Sequence, residues 1–223
     1  MRTDHFRLQQ YKLARKVKLE KLTRVVNYIA GVDVAISRDR LVGCICVFTF
    51  PELELLEHVS AHAPDCVPYI PGFLSFREIP VILQCYNKLK RKPDLMLVDG
   101  QGIAHPRGLG LATHLGIILK TPTIGCAKSH LFGEYQLPDL HKGSYAYLVT
   151  HTTRIGLVLR TRDDVNPLFV SPGHLVNFDD CREYVLASVT KYRIPSPLRH
   201  AHQIAGETAR KRQLRAERGE LRV

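Results

Sequence analysis

Ile29-Ala-Gly-Val-Asp-Val-Ala-Ile36 is an apolar run interrupted by a single carboxylate, Asp33. A second run, Leu95-Met-Leu-Val-Asp99, ends on a carboxylate and opens into the turn Gly100-Gln-Gly-Ile-Ala-His105. Both have the length and the Val/Ile/Leu content of buried strands. An ionised carboxylate in such a setting costs more than the strand position returns unless something compensates its charge. Two of them predict a cation, most simply a hard metal ion held by oxygen ligands. Taken singly, either aspartate also fits an edge position facing water or a turn cap.

The elements on either side set these two runs in one sheet. Upstream, Tyr11, Ala14, Val17, Leu22 and Val25 follow a helical period with Lys and Arg between them, which predicts a helix within residues 6–26. Strand-like runs then occupy 29–36, 41–50 and 53–60, parted only by Ser37-Arg-Asp-Arg40 and Pro51-Glu52, as in an antiparallel meander. After the proline-rich loop 63–72, Ile82, Cys85, Tyr86 and Leu89 mark a helix. The pattern continues with strand 94–99, a helix at about 107–119 and strand 122–127. Strands 145–150 and 155–160 lead through Leu168-Phe-Val170 to a helix near 178–192 and a basic C-terminal helix or tail.

A meander followed by helix–strand–helix–strand is the element order of ribonuclease-H-like folds. The expected class is therefore α/β, with a mixed sheet of antiparallel meander and parallel strands flanked by helices. By analogy with that fold, Asp33 and Asp99 stand on adjacent strands, and ligands bind beyond the carboxyl ends of the parallel strands, where Asp99 lies. The 223 residues fit a single domain spanning 1–223, with the basic segment from about 207 to 223 as a mobile tail.

Charge points to the class of partner. Thirty-two Lys and Arg against twenty-one Asp and Glu give a net charge of +11, a field that attracts polyanions such as nucleic acid. Much of the excess lies in Arg15-Lys-Val-Lys-Leu-Glu-Lys21 and Arg210-Lys-Arg-Gln-Leu-Arg215, so solvated ends are the alternative. No apolar stretch reaches the ~20 residues a membrane span requires, and the N-terminus lacks the apolar core of a secretory signal. A cytoplasmic monomer with no membrane partner is the expectation. The six cysteines form no C-x-x-C pair, which argues against a structural zinc site.

Three further segments carry candidate chemistry. In Pro68-Tyr-Ile-Pro-Gly-Phe-Leu-Ser-Phe-Arg-Glu78, two prolines stiffen a loop that presents Tyr69, as an aromatic wedge into a base stack requires. The alternative is that Tyr69 and Phe73 fold back onto the core. Glu78 either completes a capping box with Ser75 or serves the site; Pro80 weakens the first reading. In Val98-Asp-Gly-Gln-Gly-Ile-Ala-His-Pro-Arg-Gly-Leu-Gly110, the glycines allow close approach to a ligand, and His105 and Arg107 offer proton transfer or phosphate contacts beside Asp99. Pro122-Thr-Ile-Gly-Cys-Ala-Lys128 ends a strand on a lysine that either meets a phosphate or is simply solvated.

PYIPGFLSFRE, VDGQGIAHPRGLG and PTIGCAK, in this order and spacing, resemble endonuclease V, the deoxyinosine 3′ endonuclease family. The likeness runs from about Ile29 to His174 and more loosely to about His202, and the two-proline PYIPG form is similar to bacterial and archaeal members. It implies a ribonuclease-H-like nuclease that recognises hypoxanthine, the product of adenine deamination, and cuts the phosphodiester one nucleotide 3′ of it. By motif, Asp33 and Asp99 correspond to metal-binding aspartates, and Glu78 to the third acidic residue. Tyr69 corresponds to the wedge, and His105 and Lys128 to residues near the scissile phosphate. Gly100, Gly102 and Leu131 correspond to positions at the base pocket. The family also has a C-terminal catalytic histidine, for which His202 fits better than His174. Two aspartates and a nearby glutamate suit Mg²⁺, with Mn²⁺ as a substitute. The partner implied is inosine-containing DNA. Inosine-containing RNA stays open, because nothing in the sequence reads a 2′-hydroxyl. A catalytically silent nucleic-acid binder of the same fold is the alternative from another class, and the intact acidic residues argue against it.

Overall fold

The computed structural model describes residues 3–38, 40–151 and 153–218. Eight strands form one sheet in the order β3-β2-β1-β4-β5-β8-β7-β6. The meander is β1 (Tyr28–Ser37), β2 (Arg40–Thr49) and β3 (Leu55–Pro64). Its first strand lies beside β4 (Leu95–Val98), which pairs in parallel with β5 (Thr123–Ala127). The far half is antiparallel: β8 (Leu168–His174) against β5, then β7 (Thr153–Leu159) and β6 (Tyr145–Thr150). The first five strands keep the expected ribonuclease-H-like neighbourhood, and three more widen the sheet.

Strand alternation sorts the core into two layers. Ile29, Cys44, Cys46, Phe48, Leu95 and Leu97 face one side, packed on Cys181 and Val185 of α4 (Phe178–Ala187) and on Leu198, Ala201 and Ala205 of α5 (Ser196–Glu217). Ala30, Val32, Ile45, Val47, Met96 and Val98 face the other, against α2 (Leu74–Lys88) and α3 (Leu111–Leu119). Removing each large side chain of these layers from water contributes about 2 kcal/mol. Asp33 continues the Ile29 and Gly31 face, so alternation turns it toward α5. The helix can lie close there because Gly31 has no side chain. A Cβ on Gly31 would sit 2.1 Å from the backbone of Pro197 at the start of α5.

Several boundaries differ from expectation. The first helix, α1, spans only Asp4–Ala14. Residues 17–27 instead follow the protein surface, where Lys18 O accepts from Leu175 N–H and Leu22 N–H donates to Asp180. Their apolar spacing reflects separate contacts rather than one helical stripe. α3 begins at Leu111 instead of about 107, since turns closed by His105 and Gly108 occupy the preceding glycine-rich segment. α4 stops at Ala187, before the expected 192. The basic segment from 207 continues α5 as helix to Glu217, and residues 219–223 of the expected tail lie outside the described residues. Among the described residues no helix is long and apolar enough to cross a membrane. All six cysteines are free; five are buried and Cys66 is exposed.

Candidate active site

Three parallel strands deliver their carboxyl ends to one place. Val32 of β1 stands opposite Val98 of β4, and Val98 opposite Gly125 of β5. Asp33 therefore lies next to Asp99, whose N–H donates to the Val32 carbonyl at 3.0 Å. Lys128 follows β5 directly, and its Nζ reaches Asp99 Oδ2 at 2.5 Å. From α5, His202 Nδ1 lies 2.7 Å from Asp33 Oδ2. A carboxylate can only accept, so Nδ1 carries the proton of this bond and Nε2 is left for other work.

Ligand atoms of Asp33, Asp99 and His202 all lie within 4.8 Å of one another. Glu78, on the first turns of α2, stands outside that triangle but within reach of its field. Burial, then the charges of Asp33 and Asp99, push the Glu78 carboxyl up to about 8, against the partial relief of Arg77. Burial and Asp99 likewise raise Asp33, while His202 and the Val34 N–H pull it back. Asp33 and Asp99 beside each other, with Glu78 close by and an imidazole at hand, form an oxygen-rich donor set in which the burial of Asp33 and Glu78 opposes their charge. That set fits a hard divalent cation.

The capping alternative for Glu78 does not hold. α2 starts after Phe73 without a side-chain cap, and the Ser75 hydroxyl is 3.0 Å from His114 Nδ1 instead. Pro80 sits inside α2 on its exposed side, where one missing backbone donor is tolerated.

Beside the acidic cluster opens a cleft of about 320 Å³, with Tyr69, Asp99, Gly100, Gln101, Lys128 and Leu131 in its wall. Tyr69 is 64% exposed, so it does not fold back onto the core, whereas its neighbour Phe73 is buried. Leu131, also in the wall of the cleft, is exposed as well. Gly102 departs from expectation. It is not in the wall, its N–H donates to Ser171 Oγ at 2.8 Å, and its carbonyl accepts from Gly110 N–H at 2.9 Å. Neither peptide group is open to a base; this glycine packs the turn against β8.

His105 lines the cleft, yet both of its nitrogens are engaged. Nδ1 accepts from the Arg107 N–H at 3.1 Å, which places the ring proton on Nε2, 3.1 Å from the Gly72 carbonyl. Burial and the Arg107 charge push its pKa down to about 4, so the ring is neutral near pH 7. It braces a backbone turn and is not free for proton transfer. Arg107, expected at a phosphate, is committed to the same carbonyl at 2.7 Å and to Gln10 Oε1, and it stacks over the Phe73 ring. Gln10 Nε2 adds a third donor at 2.8 Å. Gly72 has φ +79°, and a Cβ there would lie 2.7 Å from the Arg107 guanidinium. Three donors on one carbonyl thus fix the hinge of the Tyr69 loop. At its other end, Asp65 holds Arg77 through two hydrogen bonds, one of them 2.8 Å.

His174, the alternative C-terminal histidine, pairs with Thr123 at the opposite end of β5 from Lys128, and its Nδ1 accepts from Lys18 N–H. Only His202 reaches the acidic cluster. Gln10 and the Asp65–Arg77 pair have no sequence signal: each works through a partner well separated along the chain, and no local pattern marks it.

The model of the Endonuclease V family matches residues 11–203. The endonuclease V of Dictyoglomus turgidum is 48% identical over 193 residues, which are 86% of this chain and 85% of that protein. Among solved structures, the endonuclease V of Streptomyces avermitilis superposes with a TM-score of 0.90 at 36% identity, covering 94% of each chain. The Ciona intestinalis endonuclease V, in complex with a 24-mer DNA containing an inosine followed by a ribo-adenosine, gives a TM-score of 0.81 at 26% identity over 93% of this chain and 98% of its own. With acidic strand ends, an accessible cleft and a family match spanning most of its length, this chain belongs to the endonuclease V family of nucleases.

Proposed function

We propose that this protein is a metal-dependent endonuclease, with Mg²⁺ as its ion and Mn²⁺ as a substitute, acting on deaminated adenine in DNA. It hydrolyses the phosphodiester one nucleotide 3′ of the hypoxanthine and so initiates repair. The observation that carries this reading is the convergence of Asp33, Asp99 and His202 beside a cleft that holds an exposed aromatic on a braced loop. The inosine-bearing DNA held by the Ciona relative supports the choice of base.

Asp33 and Asp99 would hold the ion, with Glu78 close by. Such an ion, once bound, polarises the phosphate and makes water a better nucleophile. The protein's own groups do the rest. His202, oriented by Asp33 through Nδ1, can exchange a proton at Nε2. Lys128 brings a positive charge to the phosphate side of Asp99. Tyr69 fills the gap left by a base turned out of the stack. The cleft around Gly100 and Leu131 receives that base. Hypoxanthine presents an N1–H donor and an O6 acceptor where adenine has the reverse, and buried polar groups matched to one are left unpaired by the other.

Matched DNA and RNA oligonucleotides, each with one inosine, test this with Mg²⁺, with Mn²⁺ and with a chelator. The expected result is a single cut one nucleotide 3′ of inosine in DNA, abolished by the chelator. Asp99→Asn should fold normally and lose activity on the order of 100-fold or more. Cutting that survives chelation, or equal rates on adenosine and inosine strands, overturns the reading.

A further inference from the structure

The family match ends at residue 203, yet α5 runs on as one helix to Glu217 and carries Arg210, Lys211, Arg212 and Arg215 on that added length. Leu198, Ala201, Ala205 and Ala209 are buried and turn one stripe of the helix onto the sheet. At about 100° per residue, His202 then lies on one side of the stripe, where it meets Asp33, and Thr208, Lys211, Arg212 and Arg215 cluster on the other, next to β3.

On that second side His62 of β3 closes a concavity of about 200 Å³, lined by His62, Thr208, Lys211, Arg212 and Arg215. Every lining side chain can donate a hydrogen bond, and none is a carboxylate. Among the described residues, no ion pair involves Lys211, Arg212, Arg215, Arg40 or Lys88. Glu217, at the end of the helix, is paired with Arg38, and Glu207 accepts from Gln203. Burial, followed by the charges of Arg212, Lys88 and Arg40, holds His62 below the usual histidine range. Cations gathered around a concavity whose lining holds no carboxylate repel one another, and a bound polyanion relieves that repulsion.

We propose that this flank of α5 and β3 is a second nucleic-acid seat, which holds duplex phosphates away from the bond that is cut. It takes from the preceding section only that the polyanion is nucleic acid. Along α5, Arg215 lies about 20 Å from His202 at 1.5 Å per residue. That distance equals roughly six base pairs of duplex. Lys211, Arg212 and Arg215 span just over one turn of helix, about 6 Å, which suits neighbouring phosphates of a backbone better than a single free phosphate.

The test is the combined variant Lys211→Ala, Arg212→Ala and Arg215→Ala, in which alanine preserves the helix. Fluorescence anisotropy is measured with undamaged duplexes of about 8 and about 30 base pairs across a salt series, so the outcome does not depend on inosine recognition. For the long duplex, affinity should fall on the order of 10-fold, and the slope of log affinity against log salt should become shallower by about 2 to 3. Binding of the short duplex, and cutting of a short inosine duplex, should stay as in the parent. His62→Ala, on a different element, should weaken long-duplex binding in the same direction by a smaller factor. An unchanged salt slope on the long duplex overturns the proposal, as does an equal loss on both lengths, which would mean a diffuse field and no seat. Tighter binding to phosphatidylserine vesicles than to the long duplex, or competition by millimolar inorganic phosphate alone, overturns it too.

Discussion

Gln10 reaches the cleft from far away in sequence: its amide donates to the carbonyl of Gly72 and its oxygen accepts from Arg107. It is fully buried, so each of these bonds replaces a water that cannot return. Gln10→Ala should loosen the hinge of the Tyr69 loop without touching Asp33, Asp99 or His202. At about 1 kcal/mol for the lost bond to the Gly72 carbonyl, the one that holds the loop, KM for an inosine duplex should rise about 5-fold, with metal dependence unchanged. Steady-state kinetics check this, and a fall in kcat with constant KM would contradict it. At this scale the sequence was informative wherever a residue contradicted its surroundings. Asp33 and Asp99 stand out because a strand interior has no use for a bare carboxylate. His105 looked like a proton carrier for want of a visible partner, and its partner is a backbone carbonyl that no side-chain pattern announces. Gln10 sits in an ordinary polar helix, where nothing distinguishes it.

Among elements, the crossing of α5 over β1 decides whether His202 meets Asp33. It depends on Gly31, where an added methyl would strike the backbone of Pro197. Gly31→Ala should therefore push the start of α5 off the sheet, destabilise the fold by about 1–3 kcal/mol, and reduce cutting in step with the displacement of His202. Urea unfolding and single-turnover rates on one preparation provide the check; full stability with full activity would show that α5 is not seated through this contact. The meander and the parallel strands were legible because their runs are long, apolar and cleanly punctuated. The sequence overextends α1 because widely spaced apolar residues at 17–25 imitate a helical period while the backbone there bonds separately to Leu175 and to Asp180 of α4. The last turns of α5 read as a basic tail, since the only sign of their docking is Ala201, Ala205 and Ala209 at every fourth position.

For the whole molecule, acid should be destabilising through buried neutral histidines. Burial pushes His114 and His105 down to about 4, and it lowers His62 and His174 in the same sense. The unfolded chain takes up these protons at about 6.5. The stability the histidines contribute is thus complete above that pH and is lost as pH falls toward 4. Each of the two most buried rings contributes up to about 3 kcal/mol. Glu78 opposes this trend: its carboxyl, raised to about 8, binds a proton in the folded state first, so acidification through that range favours the fold. Urea midpoints should therefore decline between pH 6.5 and 4, and the decline should be shallower in His114→Gln. A parallel decline in the variant would remove His114 from the account. The groups proposed to break the bond stand on adjacent strand ends, while Tyr69, the proposed wedge, hangs from a loop fastened at a carbonyl and an ion pair. On that reading the opening of the duplex can be retuned through residues 64–73, and the base accepted through the cleft around Gly100 and Leu131, while the strands that carry the chemistry stay as they are.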